Sequence, residues 1–393
     1  MKKILFIHHA TGWGGAPKSM IQLINALDKE KYDAHVLLIK DSIVSKKLKE
    51  SNINYSIAQS KFYKNYYHYF THSEAGYVKW YQIIRFIRFS VSWLFSRYYF
   101  AKRELERYDY DIYYLNSSCL TDWLAPAKKK GKVIIHIREP FRKGHYDLLY
   151  YFFRWQMRKY ADHIIAISKD NARRINVPEK TTVIYNFADL SKTEVDGKSY
   201  YSKKFLYIGG AARRKGFYTL IDALDYLHPD IMIYFGGSYE GTKKSGFKAR
   251  IKQTFIKIIP RNRKKERYLL KLKAHPCIRI IGMVDNVGDY LDEVCCLISP
   301  FSTPHFARPV IEAHLRKKPA IGSDVPGMDE IINNGTTGLL FQRENAKDLA
   351  QKINYIAYHP HEAKKMGETA YNIAKKKFSP KNVIVIEDLL KKI

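Results

Sequence analysis

Cysteine is scarce in this 393-residue chain, and the four present, Cys119, Cys277, Cys295 and Cys296, include no C-x-x-C pair. No two neighbouring cysteines pair with histidines at metal-ligand spacing, so neither a structural zinc site nor a disulfide framework is expected. Long apolar runs are also missing. The nearest approach to a membrane span, Trp80 to Phe100, is broken by Arg85, Arg88 and Arg97, and a bilayer-spanning helix needs about 18 or more unbroken apolar residues. At the start, Met1-Lys2-Lys3 leads into Ile4-Leu5-Phe6-Ile7. His8 and His9 close that run too early for a signal-peptide core, so it is expected to be a buried strand. Acidic residues are few, 38 Asp and Glu against 68 Lys and Arg, a net charge of +30. An excess of that size favours anionic partners: nucleic acid, phosphorylated small molecules or an anionic membrane surface.

What is present is an ordinary globular composition, 46% hydrophobic and 27% charged, on a chain too long for one core, which rarely grows past roughly 250–300 residues. Apolar strand-like runs alternate with segments of helical period. Ile4–Ile7, a glycine-bearing loop from Ala10 to Ala16, a helix carrying Met20, Leu23, Ile24 and Leu27, and His35–Ile39 form a βαβ unit. Further strands are expected at 112–115, 133–137, 163–167 and 182–185. A second cycle opens at Phe205–Ile208, with strands at 231–235, 278–281, 297–299, 319–323 and 338–341. The polar stretch Asp189 to Lys204 reads as a linker. The expectation is therefore an α/β chain of two Rossmann-like, doubly wound parallel-sheet domains. The first covers 1–190 and the second 195–375, and a final helix at 376–393 packs back on the first. Two segments read as insertions. Residues 61–107 are aromatic and basic, and Trp80, Ile83, Ile84, Ile87, Val91 and Leu94 are placed on one helical stripe. Residues 243–273 carry thirteen basic residues against the single Glu266.

Ligands of such sheets bind in the crevice outside the carboxyl ends of the strands, and the residues there carry the chemistry. Gly14 and Gly15, after the first strand, let backbone amides approach an anion. The dinucleotide fingerprint is absent, because Pro17 stands at its third glycine. Arg213, Arg214 and Lys215 occupy a strand-to-helix turn, where fixed cations stabilise charge building on a departing diphosphate without a metal. Ser299 to Ala313 reads as a strand end, a small-residue loop and a helix starting at Pro309 or Val310, with Glu312 in its first turn. That carboxylate suits ribose hydroxyls, or simply the helix N-terminus. The pair Asp109 and Asp111 precedes a strand rather than following one, so no metal site is expected.

Taken in order, these pieces resemble glycosyltransferase family 4, enzymes of the GT-B fold with two domains facing a central cleft. They are Gly14-Gly15, Ala166-Ile167-Ser168, Val183 to Asn186, Tyr207-Ile208-Gly209 with Lys215-Gly216, Ile281 to Val284, Phe306 to Ala313, Ser323 to Gly327, and Gly335 with Gly338 to Leu340. The resemblance implies a metal-independent transferase that retains anomeric configuration and uses a nucleotide-sugar, UDP- or GDP-linked, as substrate without a separate cofactor. Lys215 with Arg213 or Arg214 would bind the diphosphate, and Glu312 the ribose. Backbone amides from Phe306, Ala307 and Arg308 would meet the phosphates, and Met283 and Val284 would lie near the base. Gly14 and Gly15 would approach the phosphates and sugar, and His136 would face the sugar or acceptor. Two positions depart from the family. Its usual glutamate eight residues before the ribose-binding one is Pro304 here, followed by His305. Its usual arginine after the strand glycine is Gly210. A growing surface glycan on a lipid carrier is the acceptor this implies, handled at the cytoplasmic face of the membrane, with the basic aromatic insertions against anionic lipid. No nucleic acid is expected, since no helix-turn-helix, zinc finger or RNA-binding strand pattern occurs. The alternatives are an inactive partner subunit of the same fold and a basic nucleic-acid-binding protein.

Overall fold

The computed structural model describes residues 1–74, 76–188, 197–239, 260–284 and 286–393. Of the linker expected at Asp189 to Lys204, residues 189–196 lie outside the described residues and Gly197–Tyr201 forms a 3-10 turn; the second basic insertion up to residue 259 also lies outside them. The chain divides into two compact units, Met1–Ala188 with Phe378–Ile393, and Asp189–Lys377.

The first unit is built on seven parallel strands in the order β3-β2-β1-β6-β7-β8-β9. They are β1 (Lys2–His8), β2 (Tyr32–Leu38), β3 (Tyr55–Ile57), β6 (Ile112–Leu115), β7 (Lys132–Ile137), β8 (His163–Ala166) and β9 (Thr181–Val183), with a separate hairpin of β4 (His72–Ser73) and β5 (Gly76–Tyr77). Both faces of the sheet are covered, which is why its central strands are continuous apolar runs. Leu5, Ile7, Leu115, Val133 and Ile135 point into one core. Ile4, Phe6, Ile112, Tyr114 and Ile134, the alternate residues, point into the other. The helix Asn382–Lys392 belongs to this second core through Val383, Ile386, Leu389 and Leu390. The Lys2 ammonium donates to the Leu390 carbonyl at 2.8 Å, and the Asp28 amide to Glu387 at 2.8 Å.

Within the aromatic insertion, helices span Lys61–Asn65 and Ile83–Phe95. The second runs on through a π-helical turn, Ser96–Phe100, into Ala101–Leu105. One expectation is corrected here. Trp80 lies in the turn before the helix and not on its stripe. The stripe itself faces outward, with Ile84 86% exposed. The inward face is taken by Phe86, Phe89 and Trp93, whose rings fill the space against the sheet. Trp93 is tied down by a 3.1 Å bond from its indole N–H to the Thr121 hydroxyl.

The second unit is built on six parallel strands in the order β12-β11-β10-β13-β14-β15. These are β10 (Lys204–Tyr207), β11 (Met232–Gly236), β12 (Ile278–Gly282), β13 (Cys296–Ser299), β14 (Ala320–Ser323) and β15 (Gly338–Phe341). In each sheet the strand order reverses once, between β1 and β6 and between β10 and β13. Crossover connections leave opposite faces there, so the loops diverge and open a crevice at the strands' carboxyl ends. The fold is α/β with two Rossmann-like parallel-sheet domains. No helix among the described residues is long and apolar enough to cross a membrane.

Candidate functional site

In the second unit the loops after five strands interlock into one layer. The Gly237 amide donates to the Gly282 carbonyl at 2.6 Å, joining the loops after β11 and β12. The Gly210 amide donates to Gly236 at 2.9 Å and the Ala211 amide to Ser238 at 2.9 Å, joining the loop after β10. The Ser302 amide donates to the Arg214 carbonyl at 3.0 Å, and the His305 amide to the Pro326 carbonyl at 3.1 Å. These bonds link the loops after β13 and β14 to the same layer. The layer crosses the point where the strand order reverses.

Arg213, Arg214 and Lys215 form a short 3-10 turn in this layer, and all three are exposed. The turn is held from below, where the Tyr207 hydroxyl donates to the carbonyls of Gly210 at 2.9 Å and Lys215 at 3.2 Å. Gly216 follows at φ +76°, in the left-handed region. The pKa of Lys215 is lowered, first by loss of water around the ammonium and then by the charge of Arg214. His305 stacks flat on Phe301, with ring centroids 3.8 Å apart. Desolvation, with Lys215 and Arg214 nearby, lowers its pKa to about 3, so its imidazole is neutral near pH 7. The Ser302–Arg214 bond holds the loop after β13 against the cationic turn.

The helix Arg308–Leu315 starts at this layer with no side chain capping its first turn. Glu312 is buried and accepts from Arg308 Nε at 2.8 Å. Because the helix starts at Arg308, Glu312 is its fifth residue, one or two positions deeper than a start at Pro309 or Val310 would put it. The i,i+4 spacing to Arg308 explains the pairing. Phe306 and Ala307 are buried, and Met283 is 72% exposed at the outer end of the layer. Val284 packs against Gly236. Gly210 sits at φ +59°, and a β-carbon there would stand 2.4 Å from the Ser238 carbonyl oxygen. No arginine fits at that position on this backbone, which accounts for one departure from the family pattern. Nothing in the structure explains Pro304.

The expected residues of the first unit lie beyond β1 and near the carboxyl end of β7. Gly14 precedes the helix Gly15–Ala26 without a side-chain cap. A β-carbon on Gly14 would meet nothing within 4 Å, so packing does not demand glycine there. His136 is buried within β7. Its Nδ1 meets the Tyr114 hydroxyl at 2.6 Å, and its Nε2 has no hydrogen-bond partner. Burial, and then Arg138, hold its pKa well below the usual histidine range.

Sequence reading missed the polar cluster around it. His8 Nδ1 meets the Asn116 amide nitrogen at 3.1 Å, Arg138 Nε donates to Asn116 at 2.9 Å, and Glu139 accepts from Ser117 at 2.8 Å. His8 Nε2 and His9 Nδ1 are buried without a partner. Among the described residues, one group offers three candidate metal ligands, His9, Cys119 and Glu139, with ligand atoms within 4.8 Å of one another. Burial raises the Cys119 thiol pKa and lowers that of His9 to about 4. The signal available in the sequence was His8-His9 ending one strand run and Asn116-Ser117-Ser118 ending another. The Asp109 and Asp111 pair lies before β6, where the Lys3 amide donates to Asp111 at 2.7 Å.

Comparison with known proteins follows the same division. A family model described as Glycosyltransferase Family 4 matches residues 13–192, and one described as Glycosyl transferases group 1 matches residues 192–373. An uncharacterized glycosyltransferase of Methanocaldococcus jannaschii is 24% identical over 228 residues, 58% of each chain. Among solved structures, Anabaena HepE in complex with UDP and glucose aligns over 100% of both chains, with TM-score 0.75 and 18% identity. Sucrose-phosphate synthase of Thermosynechococcus elongatus covers 100% of this chain and 99% of its own, with TM-score 0.69 and 16% identity. The lipopolysaccharide outer core galactosyltransferase WaaB aligns over 100% of both, with TM-score 0.66 and 18% identity.

Proposed function

The chain is a GT-B glycosyltransferase of the family 4 type, and from that premise we propose a specific reaction and setting for it. It moves a sugar from a UDP- or GDP-sugar to a glycan or lipid-linked acceptor, with retention of configuration and without a metal. Its setting is cell-surface polysaccharide synthesis at the cytoplasmic face of an anionic membrane. The observation that carries this reading is the loop layer of the second unit. It gathers Arg214 and Lys215 beside a neutral His305, at the reversal of strand order, with the Arg308–Glu312 pair on the helix that leaves the same layer. The UDP-bound HepE structure supports a nucleotide-sugar donor. The name of WaaB, a lipopolysaccharide outer core enzyme, supports a surface glycan as acceptor.

In this mechanism the sugar leaves as an oxocarbenium-like species while negative charge builds on the nucleotide diphosphate. Arg214 and Lys215 already face that charge, so no dipole has to reorganise as the bond breaks. The first-turn amides of the Arg308–Leu315 helix add partial positive charge at the same place. Glu312 accepts from the ribose hydroxyls, and its bond to Arg308 keeps it oriented. Met283 and Val284 border the base. In the first unit, Gly14 and Gly15 admit the sugar and phosphates, and His136 with its neighbours binds the sugar or acceptor.

The test is a thermal-shift screen against UDP, GDP, ADP and their sugars, since a ligand that binds only the folded state raises apparent stability by mass action. One nucleotide should raise the unfolding midpoint well above the rest. Lys215→Ala should cut turnover at least about tenfold, roughly 1.4 kcal/mol in the barrier, and Glu312→Ala should mainly weaken binding of the free nucleotide. Turnover unchanged in the first variant, or nucleotide affinity unchanged in the second, sinks the corresponding role.

A further inference from the structure

We infer that the outward face of the helix Ile83–Phe95, with the groove beside it, seats this protein on a bilayer containing anionic phospholipid. The inference rests on the membrane setting proposed above and names the surface that would meet it.

This helix is apolar on two sides. Its inward side packs, Phe86 and Phe89 lying 6.0 and 6.1 Å from Phe70. Its outward side does not. Ile84 is 86% exposed, Trp80 just before it 78% and Tyr98 just after it 70%. Trp93 contacts Phe152 of the helix Leu148–Tyr160, with rings 5.3 Å apart, so the exposed side chains of the two helices adjoin. Leu148 on that second helix is 82% exposed. A run of exposed large apolar side chains on neighbouring helices is unusual on a protein meant to face water alone, and marks an interaction surface.

Beside the helix lies a groove of about 740 Å³, lined by Phe62, Tyr66, Ile84, Ile87, Val91 and Phe95 among others. Its inner wall includes Phe62 stacked on Phe100, with centroids 4.2 Å apart and planes within 5°. The only polar residues at its edge are Asn65, His68, Arg88 and Ser92. Such a slot accepts a hydrocarbon chain and offers a polar one almost nothing.

Charge identifies the partner. From residue 75 to residue 103, and again from 148 to 160, there is no aspartate or glutamate. Arg85 and Arg88 lie over the Phe89 ring, at 5.3 and 5.8 Å, and Lys159 over Trp155 at 4.9 Å. Basic heads carried on aromatic bodies sit at headgroup depth, while the isoleucines between them reach the acyl region. Trp80 and Tyr81 supply the interfacial aromatics. Nucleic acid would leave the isoleucines and the groove uncovered. An anionic bilayer covers both and pairs with the cations.

The test is flotation of the full chain with vesicles of phosphatidylcholine alone, or with about 30% phosphatidylglycerol. The chain should float with the anionic vesicles and bind the neutral ones at least about tenfold less. Ile84→Glu with Ile87→Glu alters only exposed positions. The double variant should lose at least about tenfold in anionic-vesicle binding, with its melting point and nucleotide binding unchanged. If the unaltered chain stays unbound, the membrane setting itself falls. If the double variant floats as well as the unaltered chain, the setting stands and this face is the wrong one. A concentration-dependent dimer that the same substitutions abolish, without any vesicle binding, assigns the face to a second copy and overturns the inference.

Discussion

Gly216 and the Pro300 carbonyl stand so close that a β-carbon on residue 216 would lie 1.7 Å from that oxygen. The contact clamps the end of β10's loop onto the end of β13, on opposite sides of the strand-order reversal. With φ at +76°, the backbone also excludes ordinary side chains on conformational grounds. The cationic turn at 213–215 is therefore held in place by an absent side chain.

Gly216→Ala should accordingly cost at least about 2 kcal/mol in stability, combining left-handed strain with the displacement of Pro300. Urea unfolding measures it. Gly12→Ala is the control, because a β-carbon there meets nothing within 4 Å, and it should leave stability almost unchanged. Equal and small effects from both would mean that the two loops are not locked together.

In the proposed reaction, His305 would take up the sugar contact that the family's glutamate makes where Pro304 stands. It is neutral, stacked on Phe301 and held through its own amide. His305→Ala should weaken the sugar nucleotide about tenfold, roughly 1.4 kcal/mol, while leaving the free nucleotide within about twofold. Calorimetric titration of both ligands separates the cases. If the two affinities fall together, the histidine only supports the loop.

Stability should fall as the pH drops from 7 towards 4. Burial lowers the pKa of His8, His9, His136, His305 and His314 below the unfolded value, to about 4 for His9 and about 3 for His305 and His314. Below about pH 6.5 the unfolded chain binds protons that the folded chain refuses, so their contribution is complete above that pH and drains away beneath it. Asp122 acts in the opposite direction. Its buried carboxyl is raised to about 7, so its contribution is present below about pH 4 and lost as the pH climbs to 7. Glu139, raised by burial, works the same way. Five histidines outweigh two carboxyls, each adding up to about 1.4 kcal/mol per pH unit to the slope. A melting midpoint that is flat between pH 7 and 5 would contradict the burial of neutral imidazoles, and His314→Gln should make the slope shallower.

Twelve of the strands were legible as apolar runs because a parallel sheet covered on both faces demands them. Tyr55–Ile57 was not, being three residues at a sheet edge, and neither was the hairpin at His72–Tyr77, whose strands have two residues each. The stripe on Ile83–Phe95 was read correctly as apolar, but periodicity cannot say which of two apolar faces packs. Here the larger rings of Phe86, Phe89 and Trp93 took the inside. At the candidate site, Lys215 and Glu312 could be found because a strand-end loop and the following helix are marked locally. His8, Asn116 and Glu139 could not. More than a hundred residues separate the first two, and only the pairing of β1 with β6 brings them to bonding distance.

The helix Asn382–Lys392 joins the helix Gly15–Ala26 in the core on one face of the sheet that begins at Lys2, although the entire second unit intervenes in the chain. On the ribosome, that core must wait without Val383, Ile386, Leu389 and Leu390 while about 190 more residues are made, a delay on the order of ten seconds or longer. During that interval the nascent first half is a natural client for a chaperone. A stop codon near residue 377 would strand it in that condition permanently, so a frameshift far from any binding residue should act as a folding lesion of the opposite half.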